Sequence, residues 1–345
     1  MKILIVGLGS IGQRHVRNLR TVLGDEVEFL AYRVRGLTRE ITEDLEIREG
    51  GNFEAAYGVR VFRDLDAALR ERPACTFICN PSSLHLPVAL AAARSGGHLF
   101  VEKPLSHSTE GVTELISEVE RQGTVGYVGY QLRFHPCLIR VRDLLNARAI
   151  GRLLAVNAQI GEYLPAWHTY EDYRQMYASR RDLGGGVILS QIHEMDYLYW
   201  LLGTPRWIVA MGGHLSGLEI DVEDVASILM ECSVDGTKVP VHLQADYVQR
   251  PGTRTCQFIG DAGKILLDLR AATVQRFDSR GETSQTFNVA PFERNMMFLS
   301  EVRHFLACMR GEETPLVTLR DGLQSLRMAL AARESMETGR IVGLT

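Results

Sequence analysis

Residues 2–12 read KILIVGLGSIG, and the architecture of the chain follows from them. Residues 2–6 form a short apolar run, and they lead straight into Gly7-Leu8-Gly9-Ser10-Ile11-Gly12, which fits GxGxxG. Each glycine has its own task. Gly7 permits the tight turn, Gly9 lets the backbone approach a pyrophosphate, and Gly12 lets the next helix pack on the strand. Ser10 and Ile11 stand at the helix start, where free N–H groups and the helix dipole favour negative charge. The following QRHVRNLRTVL places Val16, Leu19 and Leu23 at helical spacing. GxGxxG alone is a weak signal, and a tight structural turn is the bland alternative. Here it follows a strand, opens a helix and begins a βαβ unit, which is the context a dinucleotide site needs.

In such folds an acidic residue about 20 positions on accepts the ribose 2′-OH of NAD. Counting from Gly12 reaches Tyr32-Arg33-Val34-Arg35, with no Asp or Glu. An arginine there pairs with a 2′-phosphate, so Arg33 turns the expected cofactor, NAD(P), toward NADP. Stacking on adenine or facing solvent are the other readings of Arg33.

Strands are expected at 27–32, 59–62, 74–79, 98–101 and 124–129, with helices at 64–70 (capped by Asp64), 84–95 and 109–122. Residues 36–57 remain unassigned. Strands alternating with helices predict βαβ units and a buried parallel sheet, which ends near residue 125–130. The second half has a different rhythm. A long strand at 152–164 and a helix at 187–202 precede strand-like runs at 206–215, 225–234, 238–248, 254–259, 264–269 and 272–277. Asp235-Gly236 and Gly260-Asp261-Ala262-Gly263 suit hairpins. Two late helices follow at 293–310 and 319–338. The expected fold is an α/β dinucleotide-binding domain with a parallel sheet over 1–125. An α+β substrate-binding domain with a large, mostly antiparallel open sheet follows over 126–345, its C-terminal helix packing back on the first domain. No internal repeat or low-complexity segment is present.

Composition narrows the partners. Of 345 residues, 46% are hydrophobic and 23% charged, which excludes a disordered chain. The formal net charge of −4 gives no global field toward nucleic acid or anionic membrane. The N-terminal apolar run is too short for a signal peptide, and no 18-residue apolar run suggests a membrane span, so a cytoplasmic location is expected. The six cysteines form no CxxC and no zinc spacing with histidine, so no metal is expected and the thiols read as reduced and mostly buried.

Glu102-Lys103-Pro104 closes a predicted parallel strand, at the sheet edge where ligands bind. A lysine there can donate to a substrate oxygen or, with a depressed pKa, act as a base; a surface lysine beside a turn is the alternative. Gly184-Gly185-Gly186 precedes VILSQIHEMD. Ser190, His193 and Asp196 follow at three-residue spacing, on one face of the expected helix. Three glycines let a ligand or another backbone come close. His193 could shuttle a proton with Asp196 or a neighbour orienting it, or it could be a structural histidine beside a carboxylate.

Together, GLGSIG at 7–12, CNPSSLH at 79–85, VEKP at 101–104, YQLRFHP at 130–136 and GGGVILSQIHEMD at 184–196 resemble the glucose–fructose oxidoreductase / inositol dehydrogenase / MocA family. The resemblance covers nearly the whole chain. It implies NAD(P)-dependent oxidation or reduction at a carbinol carbon of a sugar, sugar nucleotide or cyclitol. It places Lys103 and His193 at the reacting hydroxyl as acid/base. It puts Glu102 and Lys103 beside the nicotinamide ribose, and Asn80, Pro81 and His85 along the cofactor cleft. Gln131, on the cofactor side, and Arg133, on the substrate side, would stand where the chain enters the second domain. It also makes Lys103–Pro104 a candidate cis peptide. Many members carry an Asp three or four residues before the histidine. Here those positions hold Ser190 and Leu189, which cannot carry charge, so proton transfer rests on Lys103 and His193. Ser190 and Asp196 are counted among the substrate contacts.

The segment YLPAWHTYEDYRQMYASRRDLGGG (163–186) resembles a branch of surface-polysaccharide sugar metabolism. Its aromatics, Tyr163 and Trp167 first, can pack on sugar rings and its arginines can hold phosphates or carboxylates, which favours a sugar nucleotide or acidic sugar; a structural connection is the alternative. Two other functions use similar residues: an NAD-retaining glycosidase or lyase working through a transient ketone, and a non-catalytic dinucleotide sensor. The resemblance also implies a homodimer or homotetramer formed through the open sheet.

Overall fold

The computed structural model describes residues 1–34, 39–42, 45–289 and 291–344. Arg35 therefore lies outside the described residues. The chain builds a six-stranded sheet and then a nine-stranded one.

The first begins with β1 (Lys2–Val6), α1 (Ser10–Leu23) and β2 (Glu28–Tyr32). A small hairpin, β3 (Arg39–Ile41) and β4 (Ile47–Asn52), and a short helix α2 (Phe53–Tyr57) occupy the region that the pattern left unassigned. Then come β5 (Arg60–Phe62), α3 (Leu65–Arg70), β6 (Cys75–Ile78), α4 (His85–Arg94), β7 (His98–Glu102), α5 (Val112–Gln122) and β8 (Gly126–Gly129). Asp64 caps α3 by accepting from the Ala67 N–H at 2.7 Å. All pairings are parallel, in the order β5-β2-β1-β6-β7-β8. The order reverses between β1 and β6, and a crevice opens there beyond the strand ends. The sheet runs to Gly129, past the boundary expected at 125.

Phe77, Phe100 and Tyr127 are register partners on β6, β7 and β8. Their rings form a row, stacked at 4.6 and 5.5 Å between centroids. Phe305 of α9 (Asn295–Met309) meets all three edge-on at 5.4–5.8 Å. This apolar row seats a helix from the far end of the chain on the first sheet. The last helix, α10 (Leu319–Thr338), also returns to it: a Cβ on Gly322 would lie 2.7 Å from Val128 Cγ2.

The second half starts with α6 (Pro136–Asn146), to which the sequence reading assigns no element, and β9 (Leu153–Gly161). After a stretch of short turns come α7 (Val187–Ser190), α8 (His193–Leu202), β10 (Trp207–Gly213), β11 (Val225–Val234), β12 (Thr237–Asp246), β13 (Thr253–Gly260), β14 (Gly263–Asp268), β15 (Thr273–Phe277) and β16 (Thr283–Asn288). The order is β16-β15-β14-β13-β9-β12-β11-β10-β17, where β17 is Val342–Gly343, and only the β9–β12 pair is parallel. Ala226, Ile228, Met230 and Cys232 of β11 alternate inward under helices, while Leu229 stays exposed on the other face. No helix of the described residues is long and apolar enough to cross a membrane. All six cysteines are buried thiols, and burial pushes Cys232 up to about 12.

The helix expected over 187–202 is broken. A continuous helix would bond the Ser190 carbonyl to the Glu194 N–H. Instead that carbonyl accepts from Lys103 Nζ at 2.8 Å, and the Glu194 N–H turns to Gln191 at 3.3 Å. Ser190 and His193 therefore sit on two short helices.

Candidate active site

A cleft of about 1210 Å³ lies beyond the carboxyl ends of the parallel strands and under the second domain. Its floor is the glycine loop. Gly7 sits at φ +92°, and a Cβ there would press on the Cys79–Asn80 backbone at 3.0 Å. A Cβ on Gly12 would lie 2.0 Å from the Gly7 carbonyl, so α1 can approach β1 only with glycine. Gly9 faces open space within 4 Å, and no side chain caps α1. Free helix N–H groups beside an open backbone are what a pyrophosphate requires, so these residues fit a dinucleotide. Gly7, Gly9, Ser10 and Ile11 line the cleft; Gly12 acts behind it.

Arg33 lines the far end of this half, but its guanidinium is paired with Glu54 of α2. Asn80 and Pro81, after β6, also line it. His85 pins two loops together. Its Nδ1 is 2.8 Å from the Pro104 carbonyl and its Nε2 is 2.8 Å from the Asn80 carbonyl. Glu102 is backed by buried His15 of α1, Nε2 to Oε1 at 2.6 Å, which orients the carboxylate at the sheet edge. The Lys103–Pro104 peptide is cis.

Lys103 and His193 both line the cleft, from opposite domains. Lys103 Nζ uses one donor on Ser190 and keeps two among the described residues. His193 Nε2 lies 3.3 Å from Gln131 Nε2, and its Nδ1 has no hydrogen-bond partner among the described residues. Burial, then the charges of Lys103, Arg254 and Arg294, hold its pKa well below the ordinary histidine value. An uncharged imidazole can take a proton from a hydroxyl. Ser190 and Gln191 line the cleft beside it, and Gln191 Nε2 donates to Glu162 at 3.2 Å.

Two expected roles are corrected. Arg133 and Asp196 do not reach the cleft: their side chains are 2% and 0% exposed and bound to each other at 2.7 and 3.0 Å. Arg133 Nη1 also donates to the Leu316 carbonyl. The pair ties the entry of the second domain to α8, and losing one partner would leave a buried charge, a cost of about 3–5 kcal/mol. Asp196 therefore does not orient His193; Gln131 is its neighbour. The three glycines admit protein, not ligand. A Cβ on Gly185 would lie 2.3 Å from the Tyr177 carbonyl, and one on Gly186 would meet the Glu223–Arg333 ion pair.

The stretch after β9 roofs the cleft. Tyr170 reaches Ser10 in the glycine loop, and Arg39 lies over its ring at 5.3 Å. Tyr163 carries the Arg250 guanidinium 3.9 Å above its ring, and Trp167 meets Tyr247 edge-on at 5.4 Å. Tyr163 and Trp167 line the cleft, as do Glu162, Arg254 and Arg294, which the sequence reading missed. One signal was available for Arg254. It shares strand parity with buried Cys256 and Phe258, so it had to point inward.

Comparison with known proteins agrees with the two-domain fold. Residues 1–130 match the family profile described as "Oxidoreductase family, NAD-binding Rossmann fold", and residues 142–344 match "Oxidoreductase family, C-terminal alpha/beta domain". Myo-inositol 2-dehydrogenase of Thermotoga maritima is 25% identical over 360 residues, covering 100% of this chain and 98% of its own. The scyllo-inositol 2-dehydrogenase (NAD(+)) of Bacillus subtilis is 25% identical over 99% of this chain and 95% of its own. Among solved structures, the WlbA dehydrogenase of Bordetella pertussis in complex with NADH and UDP-GlcNAcA superposes with a TM-score of 0.81. It is 20% identical and covers 100% and 99% of the two chains. At that identity the likeness is one of fold.

The electrostatics of His193 can be checked directly. Its imidazole should titrate below the ordinary value of 6.5, staying neutral until the pH falls through the lowered pKa. Histidine-labelled NMR, assigned with His193→Asn, reads this; a midpoint at or above 6.5 contradicts it.

Proposed function

The chain belongs to the Gfo/Idh/MocA oxidoreductase family, and from that premise we propose how its own residues perform the reaction. It is an NAD(P)-dependent oxidoreductase acting on the CH–OH group of a sugar-type or cyclitol substrate. The domain that carries the glycine loop holds the dinucleotide, and the sheet domain holds the substrate. When bound, the nicotinamide accepts or returns the hydride. In the oxidising direction His193 takes the hydroxyl proton on its imidazole, and Lys103 donates to the same oxygen as charge grows there. Gln131 keeps the ring of His193 in place, and Glu102 with His15 behind it receives the nicotinamide ribose. Asn80, Pro81 and His85 shape the cofactor wall, while Tyr163, Trp167 and Ser190 lie toward the sugar. The observation that carries this reading is the convergence of Lys103 and neutral His193 on one cleft that begins at an open glycine cradle.

Lys103→Met should lower kcat by roughly 10²–10⁴ while NADH still binds. Turnover of a responsive cyclitol or sugar, followed by cofactor absorbance, measures it. Unchanged turnover would remove Lys103 from the mechanism.

The position of Arg33 pointed to NADP, but the Arg33–Glu54 pair opposes it. A 2′-phosphate would sit beside the Glu54 carboxylate and be repelled by it, whereas a 2′-hydroxyl meets no such repulsion. We assign the preference to NAD, with Glu54 as its determinant. Glu54→Gln should tighten NADPH relative to NADH by several-fold and Arg33→Asp should do the reverse, read by cofactor titration; a ratio that does not move refutes the assignment.

The outer face of the second sheet, with Met211 at 77% and Leu229 at 40% exposure, supports a homodimer or homotetramer formed through it. Leu229→Glu should shift the sedimentation coefficient toward the monomer. A wild-type chain that sediments as a monomer rules this out.

A further inference from the structure

The cleft carries more positive charge than its cofactor uses. The whole chain has a net charge of −4, yet eight lysine or arginine side chains line the cleft against three glutamates. Arg14, Arg33 and Arg39 belong to the glycine-loop half, where the pyrophosphate is received. Lys103, Arg250, Arg254, Arg270 and Arg294 remain at the other half, faced there by Glu162. Glu162 is already shared, accepting from Gln191 and lying 3.5 Å from Arg270.

Two of these arginines have donors without a protein acceptor among the described residues. Glu194 holds Arg254 through Nε at 2.8 Å and Nη2 at 3.0 Å, which leaves Nη1 unbonded among the described residues. The bidentate grip also fixes the direction of the guanidinium. Arg294 has no carboxylate within ion-pair distance among the described residues, and its side chain is open to the cleft, 6.0 Å over the Phe298 ring. It stands at the start of α9, whose first turn holds no acid and whose N-terminus has no side-chain cap. Both guanidinium groups are close enough to His193 to act on its charge, and Arg254 acts on Arg294 as well. Like charges held together in a partly desolvated cleft repel, and an anion between them relieves the repulsion.

We propose that the substrate is an anionic sugar, bearing a carboxylate or a phosphate, and that Arg254 Nη1 and Arg294 receive this group beside His193. The inference rests on the oxidoreductase reading and deepens it. A neutral cyclitol or sugar leaves Arg294 without a counter-ion among the described residues and Arg254 Nη1 without an acceptor. An acidic or phosphorylated one anchors through them, and its carbinol is presented to Lys103 and His193. Arg294 then sets substrate class, and Arg254, immobilised by Glu194, sets orientation.

The test is equilibrium binding to the full chain loaded with NADH, using four probes: UDP-glucuronate, UDP-glucose, glucuronate and glucose. At least one charged probe should bind roughly tenfold or more tightly than glucose, the range of a charge-assisted hydrogen bond. Arg294→Gln should erase that gap and Arg294→Lys should restore most of it. A gap that follows the uronate identifies a carboxylate, and a gap that follows the nucleotide identifies the diphosphate; both support the proposal. It is overturned if glucose binds as well as every charged probe, or if Arg294→Gln leaves the gap in place. Turnover is measured separately. A probe bound through Arg294 but never oxidised leaves this inference standing and removes the catalytic reading instead.

Discussion

The hydrogen bond from Lys103 Nζ to the Ser190 carbonyl is the joint on which the site depends. It leaves the end of β7 in the first domain and reaches the break between α7 and α8 in the second. The lysine takes the carbonyl that a continuous helix would use internally, so the helix stops and restarts at His193. One interaction thereby orients the ammonium, breaks the helix and brings the imidazole to the cleft. Neither domain alone could arrange the two groups.

Around this joint the supporting contacts run in layers. His15 holds Glu102, His85 pins the loops after β6 and β7, and Gln131 faces His193. Buried Arg133 and Asp196 fasten the crossing between domains. Behind them, the aromatic row on β6, β7 and β8 seats α9 against the first sheet. That seating carries Arg294, at the start of α9, back to a cleft begun nearly 300 residues earlier. Charge then works through desolvation. Because the imidazole is buried among cations, its neutral form is favoured.

Much of the fold was legible because it rests on local periodicity. The strand-to-glycine-to-helix passage at 2–23, the apolar strand at 75–78 and the alternation of β11 are written in spacings of two and 3.6. The hairpin over 39–52 was not, since β4 is polar and exposed and carries no alternation. The helix α6 does carry a helical apolar spacing, Leu138, Val141 and Leu144, but its short length beside the domain crossing hid it. Lys103 and His193 could be singled out because each sits beside a local landmark, a strand end and a glycine run. Arg254, Arg294 and Glu54 have no such landmark.

The sequence alone determined the dinucleotide turn and the change from parallel to antiparallel strands, and the family resemblance singled out Lys103 and His193. Hydrogen-bond geometry and side-chain period act over a few residues, so a linear reading reaches them. Tertiary structure decided the rest. It broke the 187–202 helix, turned Arg133 and Asp196 toward each other, gave the three glycines to protein packing, and set Glu54 on Arg33. Each of these depends on which charge or backbone group meets which across tens to hundreds of residues. Coulomb and desolvation energies are set by that distance and burial, and neither is visible along the chain.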